Sequence, residues 1–209
     1  GPFTATACAP APVRSARREA RPIGRGRHRR GSRGSLLMRF FDASALVKRY
    51  VREPGTATVA RLLRQPTATV SRWSSLEVAS ALHRRAREGS LARADVDRAL
   101  AALDADFTAL QVVEVTDDVI ARARGLMAHP SLPAGDSSQL AACLDLGERI
   151  GTRLTMVAFD RRLREAASGA GLTLLPRRLP AAGGTTRRPA AQPPIRFGKG
   201  RSTRRRPQP

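Results

Sequence analysis

The chain has 209 residues and a formal charge of +21, enough for one ordinary domain with further segments beside it. It contains no run of about eighteen apolar residues, which excludes a membrane-spanning helix, and its N-terminal Arg residues are not followed by the apolar stretch of a secretory signal. The two cysteines, Cys8 and Cys143, give neither a disulfide framework nor metal-ligand spacing. We therefore expect a cytoplasmic protein.

Most of the positive charge lies at the two ends. Residues 1–37 contain nine Arg and one acid, and residues 181–209 contain seven Arg, one Lys and no acid, so each end carries +8, whereas residues 38–180 carry +5. Both ends are rich in Arg, Pro, Gly, Ser and Ala, which predicts disordered arms on either side of a single folded domain. The arms either bind polyanions such as RNA or have no role. Met38 is a candidate for the native start.

Between the arms, strand-like and helix-like segments alternate along the chain. The predicted strands are 38–41, 67–71, 111–115, 154–159 and 172–175. The predicted helices are 45–50, 56–63, 74–89, 90–110, 117–127, 136–146 and 161–167. The strands are short, continuous apolar runs, which is typical of an α/β domain with a parallel sheet covered on both faces. Acids on polar helix faces or at helix starts are predicted to be solvated: Asp95, Asp97, Asp104, Asp106, Asp117, Asp118, Asp145 and Glu148.

Four other acids lie at positions that favour a shared site. Asp42 and Asp160 each follow an apolar strand directly, so both reach the same crevice if those strands are neighbours in a parallel sheet. Asp136 begins a helix after a Gly-containing loop, and Glu77 lies in the first turn of another helix. Carboxylates gathered without basic partners repel one another, and a divalent cation removes that repulsion. Oxygen ligands of this kind select Mg²⁺ or Mn²⁺.

Each of these acids also has a purely structural interpretation. Glu77 forms a capping box with Ser74, and Asp136 and Asp160 fit helix N-caps. Asp42, directly after two Phe residues, is the hardest to explain as a solvated charge. Phosphate-binding glycine loops are absent from the sequence, and Ser44 has no plausible His partner for a hydrolase triad.

Four short motifs occur in order within roughly residues 38–178: FDASALVKRY at 41–50, SLEVASAL at 75–82, GDSSQLA at 135–141 and VAFDRRL at 157–163. Together they resemble the motifs of PIN-domain ribonucleases, most closely the VapC-type toxins of bacterial toxin–antitoxin pairs. The resemblance implies a three-layer α/β/α domain with a central parallel sheet of about four or five strands. It also implies an RNA substrate, a cognate antitoxin protein that occludes the site, and a homodimer.

Carried over by motif, the resemblance implies a metal-dependent endoribonuclease site. Asp42 and Asp136 would be the main ligands of Mg²⁺ or Mn²⁺, and Glu77 and Asp160 would complete the catalytic acids. Ser44 would be a supporting hydroxyl near Asp42. The chain departs from the family at Gln139, where His is frequent, and at Pro133, where a basic residue is frequent; substrate choice and loop shape therefore stay open.

The resulting prediction is a toxin that cleaves RNA phosphodiester bonds with a metal-activated water attacking in line. Side chains that could hold the RNA backbone are Ser44, Lys48, Arg49, Arg72, Arg161 and Arg162. The alternative is a non-catalytic RNA- or ribosome-binding protein that uses the Arg-rich arms on a PIN-like scaffold. The four acids are the feature against this alternative, and the charge of the arms is the feature in its favour.

Overall fold

The computed structural model describes residues 38–65, 67–128 and 132–180; both predicted arms, together with Cys8, His28 and His129, lie outside them. The described residues form the strands β1 (Arg39–Phe41), β2 (Ala68–Ser71), β3 (Gln111–Val113), β4 (Thr155–Val157) and β5 (Thr173–Leu175). The helices are α1 (Ala43–Leu46), α2 (Thr56–Leu63), α3 (Trp73–Arg87), α4 (Arg93–Ala109), α5 (Asp117–Leu126), α6 (Ala134–Arg149) and α7 (Arg161–Gly169), and one 3₁₀ turn (Val47–Arg49) follows α1.

The five strands form one parallel sheet in the order β3-β2-β1-β4-β5. The central strand β1 pairs with β2 on one side and with β4 on the other, so that Phe40 lies between Thr69 and Met156. The strand order reverses between β1 and β4, and ligands of open α/β sheets bind at such a reversal. The predicted parallel sheet of four or five strands is confirmed, with five.

Two apolar cores lie on the two faces of the sheet, because successive residues of a strand point to opposite faces. Phe41 and Val157 pack with residues of α1 to α4, whereas Phe40 and Met156 pack with residues of α5 to α7. This arrangement confirms the three-layer α/β/α architecture. Within the described ranges, no helix combines the length and the apolar character that crossing a bilayer requires.

Several element boundaries differ from the predicted ones, and side-chain contacts explain two of the differences. Helix α1 begins at Ala43 because the Asp42 side chain accepts a hydrogen bond from Ser44 N at 2.9 Å and so caps it. Helix α4 begins at Arg93 rather than at Ser90. The Ser90 hydroxyl instead donates a hydrogen bond at 3.0 Å to Arg85 O, a carbonyl in the last turn of α3.

Candidate active site

The four predicted acids lie together in one cleft at the carboxyl edge of the sheet. Asp42, Glu77, Asp136 and Asp160 line a cavity of about 770 Å³, which we call the acidic cleft. Two of them follow the neighbouring strands β1 and β4, and Asp136 lies in the first turn of α6. Glu77 lies beyond the first turn of α3, where it was predicted, because that helix already begins at Trp73. The structure therefore brings together side chains that are up to 118 positions apart in the chain.

Asp42 is the most buried of the four, with 2% of its surface exposed. Its backbone N–H donates to Val157 O at 3.0 Å, which ties the end of β1 to β4. Burial raises the pKa of the Asp42 carboxyl from 3.8 to about 7; hydrogen bonds from Ser44 act in the opposite direction, and the charges of Glu77 and Asp136 raise the pKa further. A carboxylate in this position is stabilised by a cation and destabilised by its acidic neighbours.

Ser44 and Asp160 connect helix α1 to the turn between β4 and α7. The Ser44 hydroxyl oxygen accepts hydrogen bonds from Phe159 N at 2.8 Å and from Asp160 N at 3.2 Å. Asp160 Oδ1 accepts from Leu163 N at 3.0 Å and caps α7, so the N-cap interpretation of this acid is correct while the residue also lines the cleft. Ser44 thus supports the site by fixing the backbone next to Asp160.

Glu77 is held by helix α6 and by the indole of α3. Its Oε2 accepts from the Nε2 of Gln139, whose buried amide also donates to Ser74 Oγ at 2.9 Å. Both side chains of the predicted capping box therefore contact Gln139, and the capping interpretation of Glu77 is wrong. Burial raises the pKa of Glu77, the charge of Asp136 adds to this, and hydrogen bonds from Gln139 and Trp73 oppose it.

Gly135 allows α6 to approach the Glu77 carboxylate closely. A Cβ atom on Gly135 would lie 2.5 Å from Glu77 Oε1, so the carboxylate would have to move. The next residue, Asp136, lies in the first turn of α6, where the helix dipole favours an acid. The N-cap position belongs to Pro133, so the N-cap interpretation of Asp136 is wrong.

The donor chemistry of the cleft fits a hard divalent cation. Burial raises the pKa of Asp136, with the charge of Asp160 adding to the effect and that of Arg162 opposing it. Three of the four carboxyls thus have pKa values raised mainly by burial and further by neighbouring acids, and a bound Mg²⁺ or Mn²⁺ would offset both effects. Across residues 38–65, 67–128 and 132–180, no three His, Cys, Asp or Glu side chains form a ready-made metal-binding group. The fit therefore rests on the donor type and the electrostatics.

Cationic side chains also line the acidic cleft; the sequence predicted Lys48 among them, but not Arg84 or Arg85. Lys48 Nζ lies 2.6 Å from Glu53 Oε1 and 4.4 Å from the centre of the Phe159 ring, and Arg85 forms a second ion pair with Glu53. Burial raises the pKa of Glu53, but hydrogen bonds and charges from Lys48 and Arg85 outweigh it and hold the pKa below its usual value. Contacts of this kind arise from tertiary packing, so no regular spacing of residues in the sequence predicts them.

Lys48 is the only one of the predicted RNA-contacting bases that lines the acidic cleft among the described residues. Arg49 is 2% exposed and its Nε lies 3.2 Å from Asp106 Oδ2, so its interpretation as an RNA contact is wrong. The prediction of a solvated Asp106 is wrong for the same reason, since Tyr50 also donates to it at 3.0 Å. Arg72 is exposed, but its guanidinium binds the Glu114 carboxylate through two nitrogens, at 2.7 and 3.1 Å.

Arg161 and Arg162 are exposed in the first turn of α7, beside Asp160. The charge of Arg162 acts on the pKa of Asp136, which places this guanidinium within electrostatic reach of the acidic cleft. Their contact with RNA stays a prediction.

Comparison with known proteins identifies the family. Residues 39–169 match the model of the PIN domain. Ribonuclease VapC46 of Mycobacterium tuberculosis (strain ATCC 25618 / H37Rv) is 33% identical over 136 residues, which are 65% of this chain and 95% of that protein. Two solved structures are similar at a lower level. PAE2754 from Pyrobaculum aerophilum is 20% identical with a TM-score of 0.47, covering 68% of this chain and 91% of its own. Mycobacterium tuberculosis VapC20, described as a Sarcin-Ricin loop cleaving toxin, is 22% identical with a TM-score of 0.49, covering 65% and 96%. The family match and the relationship to VapC46 show that the chain belongs to the PIN domain family and is of the VapC type.

Proposed function

We propose that this protein is a metal-dependent endoribonuclease and the toxin component of a toxin–antitoxin system. The observation that carries the proposal is the buried Asp42 carboxylate gathered with Glu77, Asp136 and Asp160 in one cleft. A scaffold that only binds RNA has no need of four acids whose repulsion destabilises the fold. The name of the relative VapC46, a ribonuclease, supports RNA as the substrate.

Asp42 and Asp136 would hold Mg²⁺ or Mn²⁺, with Glu77 and Asp160 beside them. When bound, such an ion supplies a water of lowered pKa and stabilises negative charge on the phosphate oxygens. The protein's own contribution is to fix these carboxylates in advance. Gln139 orients Glu77, and Leu163 N holds the Asp160 carboxylate.

The cationic side chains of the cleft would hold the RNA backbone. Lys48, Arg84 and Arg85 line the cleft together with the acids, and phosphate contacts of this kind position a strand without reading its sequence. The exposed Arg161 and Arg162 at the start of α7 would add further phosphate contacts.

The proposal includes partners and a location. The substrate is RNA, a cognate antitoxin protein occludes the cleft, and the active form is a homodimer in the cytoplasm. Membership of the VapC type supports the substrate and the antitoxin, and the chemistry of the cleft supports the substrate.

A cleavage assay with the full 209-residue chain separates the nuclease from the binding-only alternative. A mixed RNA pool is incubated with Mg²⁺, with Mn²⁺ and with a chelator, and RNA binding is measured in parallel by fluorescence anisotropy. The nuclease releases fragments only when a divalent ion is present. RNA that is bound but stays uncut under all three conditions would favour the alternative, in which the Arg-rich arms bind RNA on an inactive scaffold.

A further inference from the structure

One face of helix α3 forms a continuous side of the acidic cleft. The residues that line it recur at helical spacing: Trp73, Leu76, Glu77, Ser80 and Arg84. The chemistry along this face runs from an aromatic ring through a carboxylate and a hydroxyl to a guanidinium. Because a helix rises about 1.5 Å per residue, the aromatic and cationic ends lie roughly 16 Å apart along the axis.

Trp73 is fixed at the mouth of the cleft with much of its ring open to solvent. Its backbone N–H donates to the buried Ser71 Oγ at 3.2 Å, and its side chain forms a hydrogen bond with Glu77. The indole Nε1 lies 3.9 Å from the point where a Cβ on Gly135 would be, so the polar edge of the ring points into the cleft. The side chain is nevertheless 38% exposed, and Leu76, three residues further along α3, is 57% exposed.

An exposed, immobilised indole beside a phosphate-cleaving site has the properties of a base-stacking surface. Every nucleobase has a flat apolar face, so stacking on an aromatic ring tolerates any sequence. Bases in a duplex are already stacked on their neighbours, whereas unpaired bases in loops and single strands are free to stack on protein side chains. About half of the other residues that line the cleft are charged and are suited to phosphate and metal rather than to a base. The second aromatic ring of the cleft, Phe159, is already covered by Lys48, whose Nζ lies 4.4 Å from the ring centre.

We propose that Trp73, with Leu76 beside it, is the platform on which one unpaired base of the RNA substrate stacks next to the cleaved phosphate. The proposal rests on the proposed ribonuclease function and adds to it a side chain that holds one base of the substrate. In this arrangement the strand follows α3, with its base on Trp73, the reacting phosphate at the acids and a neighbouring phosphate toward Arg84.

The chain's own fluorescence tests this directly, because Trp73 is its only tryptophan. The full-length Asp42→Asn variant, which we expect not to cut, is titrated with a single-stranded RNA of about twelve nucleotides of mixed sequence. A strand of the same length with abasic riboses and a duplex of the same sequence serve as comparisons. Anisotropy of labelled strands reports binding independently of the indole.

Stacking predicts that the single strand quenches the indole emission, while the abasic strand and the duplex bind through their phosphates and leave the emission nearly unchanged. Any attraction of the Arg-rich ends to phosphates is common to all three strands, so it does not produce this difference. Equal quenching by the abasic strand would overturn the proposal, as would binding of the single strand without quenching. An emission that depends on protein concentration but not on RNA would also overturn it, and would assign Trp73 and Leu76 to contact with a second copy of the chain.

Variants separate stacking from the hydrogen bond to Glu77. Trp73→Phe keeps a ring but lacks the N–H, and Trp73→Leu lacks both. Stacking predicts that KM for single-stranded RNA rises about tenfold in Trp73→Leu and much less in Trp73→Phe, while kcat falls similarly in both. Ile150→Ala is the matched control, since Ile150 is 43% exposed and does not line the cleft. Equal KM changes in the two Trp73 variants would show that the indole serves only to position Glu77.

The two proposals fail separately. Quenching by the single strand in a protein that never cuts RNA would contradict the proposed nuclease activity and support base stacking on Trp73. Metal-dependent cutting without quenching would support the nuclease activity and contradict base stacking on Trp73.

Discussion

Single residues of the acidic cleft show how its function conflicts with stability. Asp42 is buried at the end of the central strand, and its raised pKa means that the folded protein disfavours the charged form that a metal ion requires. Ser44 N supplies one hydrogen bond to this carboxylate, but no ion pair with a Lys or Arg is formed to it among the described residues. The position of Asp42 therefore favours the binding of a cation and lowers the stability of the metal-free fold.

Replacing this carboxylate should stabilise the metal-free protein. Above pH 7 the folded wild type carries a buried charge that Asp42→Asn lacks, so we expect a higher midpoint of thermal unfolding for the variant at pH 8. The displacement of the pKa sets an upper bound of about 4 kcal/mol on the gain. Addition of Mn²⁺ should raise the midpoint of the wild type and not that of the variant. A lower midpoint for metal-free Asp42→Asn would contradict this explanation.

The pKa of Glu53 is shifted in the direction opposite to that of Asp42, because Lys48 and Arg85 lower it. A carboxyl whose folded pKa lies below its unfolded value contributes stability above the unfolded pKa, and this contribution disappears as the pH falls through the folded value. We expect Glu53→Gln to lower the free energy of unfolding by about 1–2 kcal/mol at pH 7, and by progressively less as the pH falls below the usual glutamate pKa and through the lowered folded one. Urea unfolding at a series of pH values measures the difference.

The control for this prediction is Glu88→Gln. Glu88 approaches Arg84 only to 4.0 Å, and both side chains are about 60% exposed, so its removal should change the stability little at any pH. A loss in Glu53→Gln that did not depend on pH would indicate a packing defect instead of lost ion pairs.

At the scale of elements, the sequence predicted the layers and the acids but not the contacts between helices. Short apolar runs sufficed to predict the parallel sheet, and acids directly after β1 and β4 sufficed to place two members of the site, because strand ends share an edge. The contact of Gln139 with Ser74 and Glu77 joins positions more than sixty residues apart and depends on how α3 packs against α6. No local pattern predicts such a contact.

The approach of α6 to α3 can be tested at Gly135. Gly135→Ala introduces a Cβ 2.5 Å from the Glu77 carboxylate, which must move, so we expect cleavage to fall at least about tenfold while the fold is retained. Gly125→Ala in α5 is the matched control, because nothing lies within 4 Å of its added Cβ. Alanine there should raise stability by about 0.5–1 kcal/mol and leave cleavage unchanged. Equal activities of the two variants would contradict the role assigned to Gly135.

For the whole molecule, charge is arranged on two levels. The ends of the chain carry +8 each, a charge that attracts polyanions in general, whereas the acidic cleft combines carboxylates with the cations Lys48, Arg84 and Arg85. Composition predicted the first level. The second was only partly predictable, since Arg49 is a basic residue directly after Lys48 in the chain and yet is buried against Asp106.

The most direct test of the central claim is the rate of RNA cleavage by the wild type, Asp42→Asn and Asp97→Asn at saturating Mg²⁺ or Mn²⁺. Asp97 is an exposed acid on α4 outside the acidic cleft, so its variant controls for the loss of one negative charge. We predict that the wild type and Asp97→Asn cut RNA at similar rates, and that Asp42→Asn is slower by at least about a hundredfold. Cleavage by Asp42→Asn at the wild-type rate, or wild-type cleavage that persists in a chelator, would contradict the account.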